Sequence, residues 1–164
     1  MNKLGATYKG LITGIVMVLI SVGIYFYKGN FENKLQYITY FVYIGGIVWT
    51  LIAFKQSDAE NKKFKHYFSE GFKCFVVITF LMVAFTWIFL KMTPGLEEEM
   101  AKNYRADLAK SGNKTPVEIE GLVTQARKYF ITVLTSMAIF GYLVIGALVT
   151  AVASAFLSQQ KIKN

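Results

Sequence analysis

Four stretches of the chain, residues 10–27, 35–54, 74–90 and 130–158, contain no Asp, Glu, Lys, Arg or His. A helix that crosses about 30 Å of hydrocarbon needs roughly 20 predominantly apolar residues, so each stretch is read as a transmembrane helix, the first and third being the shortest. Buried helices of a water-soluble protein would show polar faces at helical spacing, whereas these stretches show only scattered Thr, Ser and Gly. Interfacial side chains border the two short ones: Tyr25 and Tyr27 at the end of the first, Trp87 and Lys91 at the end of the third. Tilt or snorkelling absorbs the remaining mismatch. Lys3 and Lys9 precede the first stretch as they would in a signal peptide, but it is longer than a signal h-region and runs into Tyr25-Phe26-Tyr27-Lys28 without a small-residue exit. It reads as a retained anchor. The expected fold is an all-α integral membrane protein, a single membrane domain over residues 1–164 with four transmembrane helices in a bundle.

The polar connections carry helical signals of their own. In 91–129, Thr93-Pro94 reads as N-cap and first helical position, Glu97, Glu98 and Glu99 suit the positive end of a helix dipole, and Gly112 after Lys110 reads as a stop. Thr115-Pro116-Val117-Glu118 has the spacing of a capping box. From there Ile119, Leu122, Val123, Ala126, Tyr129 and Phe130 keep one helical face, so this helix is expected to continue into the fourth span. Residues 93–129 thus predict an extramembrane helical hairpin, in which antiparallel pairing brings Glu97–Glu99 beside Arg127 and Lys128. Such a hairpin serves either as a spacer or as a binding surface. In 55–73, Ser57-Asp58-Ala59-Glu60 has capping-box spacing, and Phe64, Phe68 and Phe72 recur every fourth residue beside Lys62, Lys63 and Lys65. Basic and aromatic residues interleaved just before a span predict an interfacial helix against anionic headgroups. His66 within this cluster reads as a solvated or headgroup-facing imidazole.

Composition narrows the chemistry. Of 164 residues 54% are hydrophobic and 17% charged, and the one Cys and one His cannot form a Cys/His zinc site, a disulfide framework or a Cys–His catalytic pair. No cofactor, metal or catalytic residue is expected, and the chain reads as non-enzymatic. The termini and 55–73 carry a net charge of +6, and the other side of the membrane +2, although Lys plus Arg number nine on each side. Discounting the middle of the long connection for its distance from the membrane, the positive-inside rule places the termini in the cytoplasm and 91–129 in the periplasm. The overall charge of +8 then lies mostly on the cytoplasmic face, where it suits anionic lipid headgroups rather than nucleic acid.

Within the spans the signals concern packing. Gly10 and Gly14 form a GxxxG, and Gly146, Thr150 and Ser154 follow one line of the last span. These faces either pack the four helices on one another or meet a partner protein or a second copy. Tyr37, Tyr40 and Tyr43 enter the membrane about one turn apart, as an interfacial belt or as a site for a lipid headgroup or polyprenyl phosphate, with Lys62, Lys63 and Lys65 as the basic complement. A small-solute transporter would need a polar path, which here only Thr and Ser could line.

Several of these features recur in one order: Tyr8-Lys9-Gly10-Leu11 opening the first span, Glu70-Gly71-Phe72-Lys73 opening the third, Lys91-x-x-Pro94 closing it, Thr115-Pro116-x-Glu118-Ile119-Glu120 starting the returning helix, and a small-residue last span ending in Lys161 and Lys163. Over nearly its whole length the chain resembles the bacterial family called domain of unknown function 4199, small four-span proteins mainly of Bacteroidota. The resemblance implies an inner-membrane location without an established activity and without catalytic residues to carry over. It also implies a setting beside polyprenyl-phosphate sugar transferases. The leading expectation is a small membrane subunit that assembles with a larger inner-membrane complex or with itself; the alternative is a lipid- or polyprenyl-phosphate-binding partner of a sugar transferase.

Overall fold

The computed structural model describes residues 5–28, 33–57 and 63–159, which form five helices and, among the described residues, no strand. They are α1 (Ala6–Lys28), α2 (Asn33–Lys55), α3 (Phe64–Met92), α4 (Pro94–Ser111) and α5 (Pro116–Gln159). Lys62, the Asp58-Ala59-Glu60 part of the Ser57 capping box, Lys3, Lys161 and Lys163 lie outside the described residues. Among the described residues, segments of four helices, α1, α2, α3 and α5, are long and apolar enough to cross a membrane, as in a membrane protein. The chain divides into two compact units, Met1–Val83 with Ile139–Asn164, and Ala84–Ala138.

In the first unit α3 touches each of the other helices: Gly10 of α1 approaches Cys74, Gly71 of α3 lies against Leu51 of α2 and Thr150 of α5, and Gly146 of α5 lies against Phe75. Met17, Tyr43, Ile47, Leu51 and Ile78 fill the centre with no exposed surface. Lipid tails are as apolar as these side chains, so burial from lipid gives little drive. Close packing of backbones supplies it instead, which is why glycine sits at the crossings.

In the second unit α4 runs back along the first part of α5, with Ala101, Ile119 and Val123 buried between them and Leu108 beside this cluster. Thr93 precedes α4 and Pro94 occupies its first turn, but the Thr93 side chain makes no capping hydrogen bond. Gly112 ends the helix at φ +67°, a left-handed conformation that favours glycine, and its N–H donates to the Ala109 carbonyl. The capping box at the start of α5 is complete: the Thr115 N–H donates to Glu118 Oε2 at 2.7 Å, and the Glu118 N–H reaches the Thr115 hydroxyl at 3.4 Å. From there α5 continues for 44 residues without a break.

One expectation changes form. The Phe64, Phe68 and Phe72 stripe does not belong to a helix separate from the third span; it is the start of α3, which runs unbroken to Met92. Gly71 is the one Gly or Pro between Phe64 and the apolar run, and a lone glycine inside a helical stretch weakens the helix without ending it.

Candidate interaction surfaces

Several of the small residues of the spans lie at contacts between helices of the chain, whereas Gly23, Gly45 and Gly141 meet nothing. A Cβ on Gly10 would lie 2.7 Å from the Cys74 carbonyl oxygen, and one on Gly14 would lie 2.6 Å from Leu81 Cδ1. Gly46, which the sequence reading did not single out for packing, receives the Thr13 side chain of α1. On α5, Gly146 accommodates the Tyr43 hydroxyl and the Phe75 ring, and Thr150 inserts its methyl group over Gly71. Thr150 and Ser154 are fully buried. The outer surface of α5 presents Met137, Phe140, Leu148 and Phe156 instead.

The three tyrosines do not share one surface. Positions three apart on an α-helix drift by about 60°, so Tyr37 and Tyr43 point some 120° apart. Tyr37 is 72% exposed, Tyr40 is half-buried with its ring 5.9 Å from that of Tyr142, and Tyr43 is fully buried, donating its hydroxyl to the Tyr142 carbonyl at 2.8 Å. Tyr43 therefore locks α2 to α5.

At the start of α3 the rings of Phe64 and Phe68 stack at 5.7 Å and those of Phe68 and Phe72 at 6.4 Å, forming a ladder down one side of the helix. Lys63 and Lys65 are exposed next to it. His66 has a local task, because its Nδ1 accepts the Lys63 N–H at 3.2 Å. That is the role a Glu or Gln plays at the third position of a capping box. The bond assigns the ring proton to Nε2.

The second unit carries a denser charge pattern than the sequence suggested. Arg105 grips Glu120 with two bonds, Nε to Oε1 at 2.6 Å and the terminal nitrogen to Oε2 at 2.7 Å. The expected contact between Glu97–Glu99 and Arg127 is looser, Arg127 to Glu98 Oε1 at 4.0 Å, while the Lys128 ammonium lies 5.6 Å from the Tyr129 ring centre. The guanidinium holds the Glu120 carboxyl below the ordinary carboxylate range, and Glu120 in turn raises Arg105. Hydrogen bonds from the backbone and then the hydroxyl of Thr115 lower Glu118 likewise. Beside these pairs runs a shallow apolar depression lined by Met100, Ala101, Tyr104, Ala126 and Phe130, with Glu97 and Arg127 at its edge.

Lys9 departs most from its sequence reading. Expected among the cations of a membrane face, it is only 9% exposed, with its ammonium 5.9 Å from the centre of the Trp49 ring. Nearby, the Thr50 hydroxyl donates to the Gly46 carbonyl at 2.9 Å and lies 3.2 Å from Cys74 Sγ. Nothing in the local sequence separates a lysine that covers the end of a span from one enclosed by neighbouring helices.

A family model described as "Protein of unknown function (DUF4199)" matches residues 8–159. No curated protein and no solved structure matches the chain.

Proposed function

The chain belongs to the DUF4199 family, whose description assigns no activity, and from that premise we propose that it is a non-enzymatic integral subunit of the bacterial inner membrane, assembling with a larger complex or with itself. The observation that carries this reading is the division of labour along the chain. Inside the spans Gly10, Gly46, Gly71 and Gly146 are taken up in contacts between the chain's own helices, while Gly23, Gly45 and Gly141 stay open. Charged groups collect instead on α4 and the first 13 residues of α5, held in register by Arg105 and Glu120 around an apolar depression. At 1.5 Å per residue the 44 residues of α5 extend about 66 Å, roughly twice the hydrocarbon thickness, which supports an extramembrane hairpin formed by α4 and the start of α5. The charge balance of the connections favours cytoplasmic termini and a periplasmic hairpin.

Purification in mild detergent with identification of co-eluting proteins tests the reading. A stoichiometric membrane partner or a homo-oligomer is expected, and its loss on Met100→Glu with Tyr104→Glu would assign the contact to the depression. A strictly monomeric, partner-free protein would contradict it.

A second reading has its own observation. The stacked Phe64, Phe68 and Phe72 ladder beside exposed Lys63 and Lys65 has the make-up of an interfacial surface for anionic headgroups, and a polyprenyl phosphate presented to a sugar transferase would bear such a group. Native mass spectrometry should then detect a retained lipid that is lost on Lys63→Glu with Lys65→Glu. Undiminished retention would remove the ladder and its lysines from consideration.

A further inference from the structure

With the α4–α5 hairpin outside the membrane, its base lies at the height of the headgroups. Along α3, Trp87 and Lys91 mark the approach to the interface, the ammonium lying 4.0 Å from the ring centre. Glu97 follows six residues after Lys91, in the first turn of α4. Along α5 the charge-free run begins at Phe130, three residues after Arg127. Each helix thus brings a charged side chain to within a turn or two of the hydrocarbon boundary. The two line the same apolar depression, whose floor includes Met100, Tyr104, Ala126 and Phe130. Met100 and Tyr104 are 45% and 41% exposed, so the depression is open to its surroundings.

Both charges have capacity to spare. Among the described residues no ion pair or hydrogen bond engages the Glu97 carboxylate. A guanidinium carries five N–H donors, and among the described residues Arg127 has one ion pair, the 4.0 Å approach to Glu98. Arg105 and Glu120, by contrast, hold each other with two bonds at 2.6 and 2.7 Å. An apolar floor at the membrane boundary continues the surface that lipid tails already cover, so it suits the upper part of an acyl chain. The rim selects the headgroup. A purely anionic headgroup would reach Arg127 but would also meet the carboxylates of Glu97 and Glu98. A headgroup with a phosphate and a primary ammonium finds a partner for each charge, the guanidinium for the phosphate oxygens and the carboxylate for the ammonium protons. A quaternary ammonium has no N–H to give to Glu97.

We propose that this depression binds a zwitterionic aminophospholipid of the surrounding leaflet, with the phosphate on Arg127, the ammonium on Glu97 and the start of an acyl chain against Met100, Ala126 and Phe130. The inference rests on the extramembrane hairpin of the first reading and gives its depression a lipid occupant. It uses neither Lys63 and Lys65 nor an assembly partner.

The test is native mass spectrometry of the full chain, delipidated in mild detergent and titrated in turn with the dioleoyl forms of phosphatidylethanolamine, phosphatidylglycerol and phosphatidylcholine, which share their tails and differ in headgroup. The wild type should retain phosphatidylethanolamine best. Glu97→Gln should weaken that binding about three- to tenfold, between the worth of an exposed ion pair and that of a charge-assisted hydrogen bond, and remove the preference over phosphatidylcholine. Arg127→Gln should weaken all three lipids, which have the phosphate in common. Glu99→Gln, outside the depression, and the doubly substituted Lys63→Gln, Lys65→Gln protein should bind as the wild type does. Wild-type protein that retains phosphatidylglycerol or phosphatidylcholine as strongly as phosphatidylethanolamine would overturn the proposal whatever the variants do, and so would an unchanged preference in Glu97→Gln. The same spectra report subunit number. A monomer that prefers phosphatidylethanolamine would contradict the assembly reading alone, and an oligomer without the preference would contradict the lipid site alone.

Discussion

Replacing Gly10 by Ala should separate the two effects that a glycine in a packed membrane helix combines. At an open helical position the change removes the propensity penalty of glycine and stabilises by about 1 kcal/mol. Gly23 of α1 is such a position, where an added methyl group would meet nothing within 4 Å, so Gly23→Ala is the reference. At Gly10 the same carbon would come to 2.7 Å from the Cys74 carbonyl oxygen and 3.2 Å from its Cα, against 3.4 Å or more in ordinary contact. These are backbone atoms, so relief requires α1 and α3 to move apart by about 0.7 Å, the shortfall between 2.7 and 3.4 Å. Overpacking of this kind costs about 1–3 kcal/mol, which cancels or exceeds the propensity gain. Gly10→Ala should therefore unfold below Gly23→Ala by about 2–12 °C, taking roughly 2–4 °C per kcal/mol for a chain of this size. Cys74 supplies the assay: it is the one cysteine of the chain and fully buried, so a fluorogenic maleimide reports its exposure on heating. Gly10→Ala as stable as Gly23→Ala, or more so, would refute the close approach of α1 and α3.

Three further outcomes follow from named contacts. Tyr43→Phe removes the bond to the Tyr142 carbonyl and should cost about 0.5–1.5 kcal/mol in the same unfolding assay, with no change in oligomeric state. Arg105→Glu should reduce amide protection along 101–123 in hydrogen exchange, and adding Glu120→Arg should restore it, whereas Arg127→Glu, touching a contact at 4.0 Å, should have a smaller effect. Protection of the same amides should also depend on acid: Glu118 and Glu120 have lowered pKa values when folded, so their contribution is fully present above the ordinary carboxylate range and is lost as pH falls through the folded values. Exchange rates corrected for intrinsic pH dependence that stay flat through that range would contradict this.

The parts of the fold legible in the sequence are those written locally. Charge-free runs mark the spans because hydrocarbon tolerates few ionised groups, and Thr115 with Glu118 marks a helix start because both halves of the cap lie three residues apart. Contacts between helices were less legible. Arg105 and Glu120 sit on different helices, and their pairing depends on the turn through Gly112, which sets the register; the looser Glu98–Arg127 contact was the one charge pattern suggested. GxxxG at Gly10 and Gly14 signals close approach without identifying the neighbour, which is α3 at Cys74 and Leu81. Spacing alone grouped Tyr37, Tyr40 and Tyr43, yet the drift of the helix turns the first outward and buries the last. Lys9 was hidden for a related reason: burial is a property of how α1 is seated against α2 and α3, and no local pattern encodes that.

On the proposed reading, glycines at the helix crossings serve packing among the spans while α4 and the start of α5 stand outside the membrane as the surface for recognition. Labelling of intact cells with a membrane-impermeant maleimide tests it directly, using Asp107→Cys on the exposed side of α4 and Leu148→Cys on the outward face of α5. Native Cys74 can remain, being buried and shielded. Asp107→Cys should label in intact cells and Leu148→Cys should not, even after lysis without detergent. Protection of Asp107→Cys both before and after lysis would contradict an extramembrane hairpin, and labelling only after lysis would place it on the opposite side from the one proposed.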